Sequence, residues 1–363
     1  MKNNIILDDF EKFLLENNCS FDKDFNLKYS AYFKMGGNVK LFLRPESIVE
    51  LVLVRKYLSK NDIQYKTIGF TTNTLFLDEL EYSVLISTKS LNKLTVENSI
   101  IQVEAGYSLQ DMVRVAVINQ AKGFDGLEGI PASIGGAIFM NAGAYGSSIS
   151  DYLINIECLD EHDNLITLDK EICNFSYRDS IFKTGKYLIL RASFLLTKGD
   201  PISIARNIEI YHIARHSYQE FVYPTLGSMI SMREDTYLNI MKDDKFYVYK
   251  FWLLKYLYKN PVVKLFHRKS PHKTVFNNLL SKFLSTKKGI NLKYNFSIKN
   301  VNILKNDGTL TGKELVDYIF LIHDLIDGNY NIENEIIISP IFAVKEDFKE
   351  DYQLILEKLK HGK

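Results

Sequence analysis

The chain has 363 residues, 46% hydrophobic and 25% charged, with a formal net charge of +1. That size and composition fit two or three globular domains, and the near-neutral balance gives no global case for a nucleic-acid partner, so none is expected. Cys19, Cys158 and Cys173 are scattered without CxxC spacing. Neither a metal site nor a disulfide framework is therefore expected, and a reducing compartment fits. The N-terminal stretch MKNNIILDDFEKFLLENN mixes acids with apolar residues and lacks the shape of a signal peptide. No run reaches about 18 uninterrupted apolar residues, so stable membrane insertion is not expected. The expected location is the cytoplasm. Oligomeric state is open, with a monomer favoured.

In chain order, residues 5–18 have the spacing of an amphipathic helix. VKLFLRP (39–45) reads as a strand closed by a proline, and 46–60 as a helix with Leu51, Val54 and Leu58 on one face. YKTIGF (65–70) completes a β–α–β unit that ends in the polar turn GFTTNT (69–74). A second block runs from SVLIST (83–88) through IIQVEAG (100–106) and a helix near 108–121 to a glycine-rich stretch, 129–151. Strands follow at NIECLD (155–160) and YLILRASFLL (187–196), then a helix near 201–216 that leads into YPTLGSM (223–229). Residues 242–293 hold 12 lysines and one arginine against two acids, Asp243 and Asp244, a local balance of +11. TGKELVDYIFLIHDLI (311–326) reads as a helix opened by a capping box, Thr311 with Glu314, and NEIIISP (334–340) as a closing strand.

The stretch GIPASIGGAIFMNAGAYGSSISD (129–151) has five glycines, no Lys or Arg, and no acid before Asp151. Glycine admits positive φ and close approach, and successive backbone N–H groups can form an anion site without a charged side chain. Two readings follow: a tightly packed strand–helix turn, or a backbone seat for a pyrophosphate assisted by Ser133. The pattern is neither GxGxxG after a strand nor GxxxxGK[ST], which disfavours a Rossmann site and a P-loop.

GLEGIPASIGGAIFMNAGAYG (126–146) closely resembles the flavin-binding signature of the UDP-N-acetylenolpyruvoylglucosamine reductase family. FSYRDSIFK (175–183), PTLGSM (224–229) and residues 298–336 resemble further family segments, in the family's order; FKMGG (33–37) and GFTTNTLFLD (69–78) are weaker counterparts. The resemblance implies an α+β fold of the vanillyl-alcohol-oxidase type. Two α+β subdomains, 1–84 and 85–200, would hold FAD. A third α+β domain, 201–363, would bind substrate and carry the Lys-rich insertion near 242–293. The implied activity is NADPH-dependent reduction of the enolpyruvyl ether of UDP-N-acetylglucosamine to UDP-N-acetylmuramate, a peptidoglycan precursor. NADPH is then a co-substrate, and the partner is a small-molecule UDP-sugar.

By the same resemblance, Arg178 clamps the substrate carboxylate, Ser228 donates a proton to the enolate and Glu335 orients the enolpyruvyl group. Glu333 shares the face of Glu335 in a strand, so alternation alone cannot choose between them; the family match selects Glu335. The FAD contacts carried over are Gly129, Ile130, Ser133, Gly135, Gly136, Ala137 and Gly143, with Asn73 and Thr74 in the first turn. Tyr145 is placed at the substrate diphosphate. The chain also departs from the pattern. GSMISMRED replaces the usual F-K-N-P after the serine, and Phe70 and Thr71 stand where glycine is favoured. Lys34 replaces an arginine, and Asn300 a histidine. Two alternatives stay open: another flavin oxidoreductase of the same fold with a different substrate, and a catalytically degraded flavin-binding protein. For the basic segment, a solvated insertion, a substrate lid and a membrane-surface patch are all compatible with the sequence.

Overall fold

The structure, a computed structural model, describes residues 2–231, 234–260, 262, 272–289, 296–297, 299–326 and 332–361. The chain opens with α1 (Lys2–Glu16), then β1 (Phe21–Asn26) antiparallel to β2 (Asn38–Leu43). Helix α2 (Ile48–Lys60) is capped by the Ser47 side chain, which accepts from the Glu50 N–H, and it buries Leu51, Val54 and Leu58 as the periodicity predicts. β3 (Lys66–Ile68) returns parallel to β5 (Leu80–Ser87), after the short β4 (Thr74–Leu75); β2 also pairs with β5 in parallel.

The second sheet is antiparallel. It uses β6 (Leu94–Glu97) and β7 (Ile100–Glu104), then α3 (Leu109–Ile118) and α4 (Ile134–Phe139) lead through the small hairpin β8 (Gly143–Ala144) and β9 (Ser147–Ser148). β10 (Leu153–Leu159), β11 (Leu165–Asp169) and β12 (Leu188–Leu195) complete it in the order β11-β10-β12-β7-β6. Its core runs from Ile101 to Leu196 and encloses the inner side of the glycine-rich stretch through Ile134, Ala137 and Ile138.

Helix α5 (Pro201–Tyr218) starts at Asp200, whose carboxylate accepts from the Ser203 N–H at 2.9 Å. Beyond it come β13 (Thr225–Ser228), α6 (Glu234–Met241), α7 (Lys245–Lys259) and α8 (His272–Lys288). Then follow β14 (Phe296–Ser297), β15 (Asn300–Lys305), α9 (Gly312–Leu325), β16 (Glu335–Ile336), β17 (Ile341–Val344) and α10 (Lys349–His361). The predicted capping box of Thr311 and Glu314 is present at α9. A third sheet runs β13-β15-β14. β16 then pairs in parallel with β4, and β17 pairs antiparallel with β5, so the end of the chain returns to the first sheet. One core accordingly joins Phe76, Tyr82 and Leu85 to Met229, Leu304 and Ile319.

The basic segment is not merely a solvated insertion. Tyr247 and Phe251 of α7 bury against Phe276 and Phe283 of α8, with ring centroids 5.2 Å apart for Tyr247–Phe283 and 4.7 Å for Phe251–Phe276. These side chains share the core of Val301 and Leu304 on β15.

Candidate functional site

A cavity of about 1240 Å³ opens between the turn 69–74, the glycine-rich stretch and the segment 215–228. It exceeds the roughly 300–1,000 Å³ that holds one small ligand, and so has room for a dinucleotide together with a second molecule. Gly69, Asn73, Thr74, Gly129, Ile130, Ser133, Gly135, Gly136, Ala137 and Gly143 all line it, as do Arg178, Ser228 and Glu335. Tyr145 is not part of this wall. Its ring stacks on Tyr211 at 4.4 Å, and its hydroxyl donates to the Tyr211 carbonyl at 3.2 Å.

The two turns meet at Gly69, where a Cβ would lie 2.1 Å from Ser133 Oγ. Ser133 Oγ accepts from the Gly136 N–H at 3.2 Å and so caps α4. Gly135 is demanded by Ala105: its N–H donates to the Ala105 carbonyl at 2.7 Å, and a Cβ would lie 3.0 Å from the Ala105 Cβ. Gly129 takes φ +78°, beside the guanidinium of Arg215.

Both turns contribute free amides. The N–H groups of Ile130, Ala132, Ile134, Gly135, Gly136 and Ala137 are all bonded within the protein. Those of Phe70, Thr72 and Asn73 have no protein acceptor among the described residues. Among the described residues the N–H groups of Gly129 and Ser133 are likewise without a protein acceptor, so the two turns share the free donors of the cavity wall, while Gly135 provides clearance. Free amides, absent Cβ atoms and a cavity of about 1240 Å³ fit a dinucleotide such as FAD. Thr71 takes φ +60°, the conformation for which glycine is favoured. Its hydroxyl compensates by accepting from the Tyr32 N–H at 2.8 Å and donating to the Phe70 carbonyl at 2.6 Å.

Asn73 ties this turn to the C-terminal return. Its side-chain amide donates to the Glu333 carbonyl at 2.6 Å, its oxygen accepts from Asn334 at 2.8 Å, and its carbonyl accepts from the Glu335 N–H at 2.8 Å. The two glutamates beside it are thereby separated. Glu333 pairs with Arg178 Nε at 3.5 Å and accepts from the Tyr177 hydroxyl at 3.0 Å. Glu335 pairs with Lys66 Nζ at 2.5 Å. Arg178 takes φ +54°, and its guanidinium lies 5.4 Å from the Tyr177 ring centroid. The hydroxyl of Ser228 has no protein partner among the described residues, and Gly227 before it takes φ +73°.

Lys66 and Arg215 were not singled out by the sequence. Lys66 sits in an ordinary strand pattern and carries no motif. Arg215 is buried on α5, donates to the Glu128 carbonyl at 2.9 Å and lies 5.3 Å from the Tyr145 ring centroid. Asn207 reaches Asp125 at 2.7 Å and His212 bonds Glu128, so α5 is latched onto the turn before Gly129. The sequence places a helix near 201–216, but with only Ile204 and Arg215 buried it has no periodic apolar face from which this contact could be read. None of the described residues of 242–293 lines the cavity, so none of them serves as its lid.

A family profile described as an FAD binding domain matches residues 39–169, which contain both turns. The UDP-N-acetylenolpyruvoylglucosamine reductase of Caldanaerobacter subterraneus subsp. tengcongensis is 32% identical over 240 residues, covering 66% of this chain and 79% of the relative. That of Pseudothermotoga lettingae is 38% identical over 221 residues, covering 61% and 76%. Among solved structures, the UDP-N-acetylenolpyruvylglucosamine reductase of Thermus caldophilus superposes with a TM-score of 0.62 at 19% identity, over 88% of this chain and 99% of that one. The fold is therefore the α+β, vanillyl-alcohol-oxidase type expected from the sequence. With an FAD-binding domain, this fold and relatives matched over more than three quarters of their length, the chain belongs to the UDP-N-acetylenolpyruvoylglucosamine reductase family.

Proposed function

We propose that the protein is an FAD-dependent enzyme of the cytoplasm that uses NADPH to reduce the enolpyruvyl ether of UDP-N-acetylglucosamine to UDP-N-acetylmuramate. The observation that supports this most is convergence: Arg178, Ser228 and Glu335, from three distant parts of the chain, line the one cavity that also holds both glycine turns. In this reading Gly129, Ile130, Ser133, Gly135, Gly136, Ala137 and Gly143 seat FAD, opposite the turn of Asn73 and Thr74. Segments 1–84 and 85–200 form the flavin half, and much of 201–363 the substrate half.

Bound FAD supplies the hydride chemistry. Arg178 clamps the substrate carboxylate, because a guanidinium stays charged and grips a carboxylate with two parallel bonds. It also stabilises enolate charge by a preorganised field, worth about 3 kcal/mol by analogy with an oxyanion donor. Glu333 keeps it oriented until that carboxylate competes. Ser228 delivers the proton to the carbon alpha to the carboxylate. Glu335 orients the enolpyruvyl group and assists that delivery.

One observation favours a neighbouring reading, the same chemistry on an altered substrate. Met229 and Ile230, which follow Ser228, are fully buried, and residues 229–231 add nothing to the cavity wall. A single experiment addresses both. The purified protein should be yellow and release FAD on denaturation. After anaerobic reduction by NADPH, its flavin should be reoxidised rapidly by the UDP-sugar enolpyruvyl ether. Flavin that stays reduced with this substrate overturns the proposal in favour of the altered-substrate reading, and a protein without FAD overturns both.

A further inference from the structure

Helix α7 carries two apolar faces. The inner one, with Tyr247 and Phe251, is buried in the core. The outer one holds Phe246, Tyr249, Trp252, Leu253, Tyr256 and Leu257, and its four rings are 58%, 65%, 50% and 75% exposed. At 3.6 residues per turn these six positions span an arc of roughly 140°. Lys250 flanks the arc on one side and Lys259 on the other, with Lys245 at its N-terminal end. Lys250 Nζ lies 4.1 Å from the Phe246 ring centroid, and Lys255 Nζ lies 4.8 Å from that of Trp252. The helix itself contains no acid.

We propose that this outer face docks on the anionic phospholipid surface of a membrane and holds the protein there peripherally. An aromatic and leucine stripe bordered by lysines matches such a surface on both counts. The rings and leucines enter the headgroup–acyl boundary, and the lysines meet the phosphates. Tyr and Trp suit that depth because each has an apolar body and a polar tip. A helix of 15 residues lies along the surface and does not cross it, and no helix among the described residues is long and apolar enough to span. A second copy fits poorly, because two segments with balances of +11 would face each other. Single-stranded nucleic acid would use the rings and lysines but leave Leu253 and Leu257 without a role.

The test uses the full chain and its single tryptophan, Trp252. Vesicles containing phosphatidylglycerol are compared with pure phosphatidylcholine by co-sedimentation and Trp252 emission. The expected result is partition onto the phosphatidylglycerol vesicles, with a blue-shifted Trp252 emission and a loss of binding at high salt. Lys250→Gln with Lys259→Gln should weaken partition about 30-fold, from about 1 kcal/mol per lysine. Trp252→Ala with Tyr256→Ala should weaken it without lowering the melting temperature, because both rings face outward. Equal partition onto both vesicle types, no partition at low salt, or sedimentation with unshifted Trp252 emission overturns the proposal. So does a concentration-dependent dimer that Trp252→Ala dissolves, or binding of single-stranded nucleic acid without lipid binding.

Discussion

Lys66 Nζ lies 2.5 Å from Glu335 Oε1, an ion pair that joins β3 to β16 across 269 positions of sequence. Both side chains are about one-third exposed within the cavity wall, so the pair is screened and adds little to stability. Its consequence is positional: the ammonium fixes the orientation of the carboxylate that we assign to the enolpyruvyl group. Lys66→Met should slow flavin reoxidation by the UDP-sugar enolpyruvyl ether about tenfold, a fraction of what a general acid–base group contributes. FAD content and reduction by NADPH should be unchanged, and Lys66→Arg should restore most of the rate. Stopped-flow absorbance separates the two half-reactions, and an unchanged reoxidation rate would remove Lys66 from the site.

The Ser228 hydroxyl has no partner among the described residues, so its removal should act on chemistry rather than stability. Ser228→Ala should slow flavin reoxidation by about 10²–10⁴-fold at an unchanged melting temperature. A loss below threefold would exclude the serine as proton donor.

Arg178 and Glu333 form a second, separate pair. Arg178→Lys should raise KM and lower kcat together, because lysine cannot make the two parallel bonds of a guanidinium. Glu333→Gln should leave the arginine present but less constrained, with the larger effect on KM. Steady-state kinetics of the two variants distinguish these roles, and identical kinetic signatures would contradict them.

Gly69 and Ser133 hold the two turns at contact distance. Gly69→Ala places a Cβ 2.1 Å from Ser133 Oγ, and overpacking of this kind costs about 1–3 kcal/mol. FAD content should fall with stability, as read by flavin absorbance and thermal melting. Adding Ser133→Ala removes the hydroxyl and should recover part of both losses, since the Ser133 Cβ would remain 3.3 Å away. Failure of that rescue would mean that the clash is not at Ser133.

Burial pushes the Cys158 thiol up to about 12 and the Cys173 thiol up to about 11, from an ordinary 9.0. Cys19 is raised in the same direction, by burial and by the nearby Glu50. The native protein should therefore show no rapidly reacting thiol toward a disulfide reagent at neutral pH, and three after unfolding. The folded state holds these protons more tightly than the unfolded one. Stability should accordingly decline as pH rises above about 9, toward the folded values. A fast native thiol would contradict the burial.

Local features were legible where short-range rules govern them. The buried triad Leu51, Val54 and Leu58, the Thr311–Glu314 capping box and the strand at 155–160 all follow from periodicity or capping chemistry. The glycine-rich stretch was legible as a backbone approach site because the absence of Cβ atoms is itself a sequence property. Its resemblance to the reductase family was carried by a contiguous run. What it contributes physically was less legible, because the hydrogen-bond state of an amide depends on neighbours such as Ala105, which lies outside that run.

The sequence by itself therefore determined elements such as α2, β10 and α9, the fold family and the stretch around which the site is built, while the strand expected over 334–340 is reduced to Glu335–Ile336. The return of β16 and β17 to the first sheet was decided only by the tertiary structure, and with it the division of Glu333 to Arg178 and Glu335 to Lys66. So was the outward apolar face of α7, since that helix has apolar residues on both sides and packing chose which to bury. The physical reason is common to all three. Strand pairing, ion pairing and burial join residues far apart in sequence, and the side-chain pattern of one segment does not contain its partner's position.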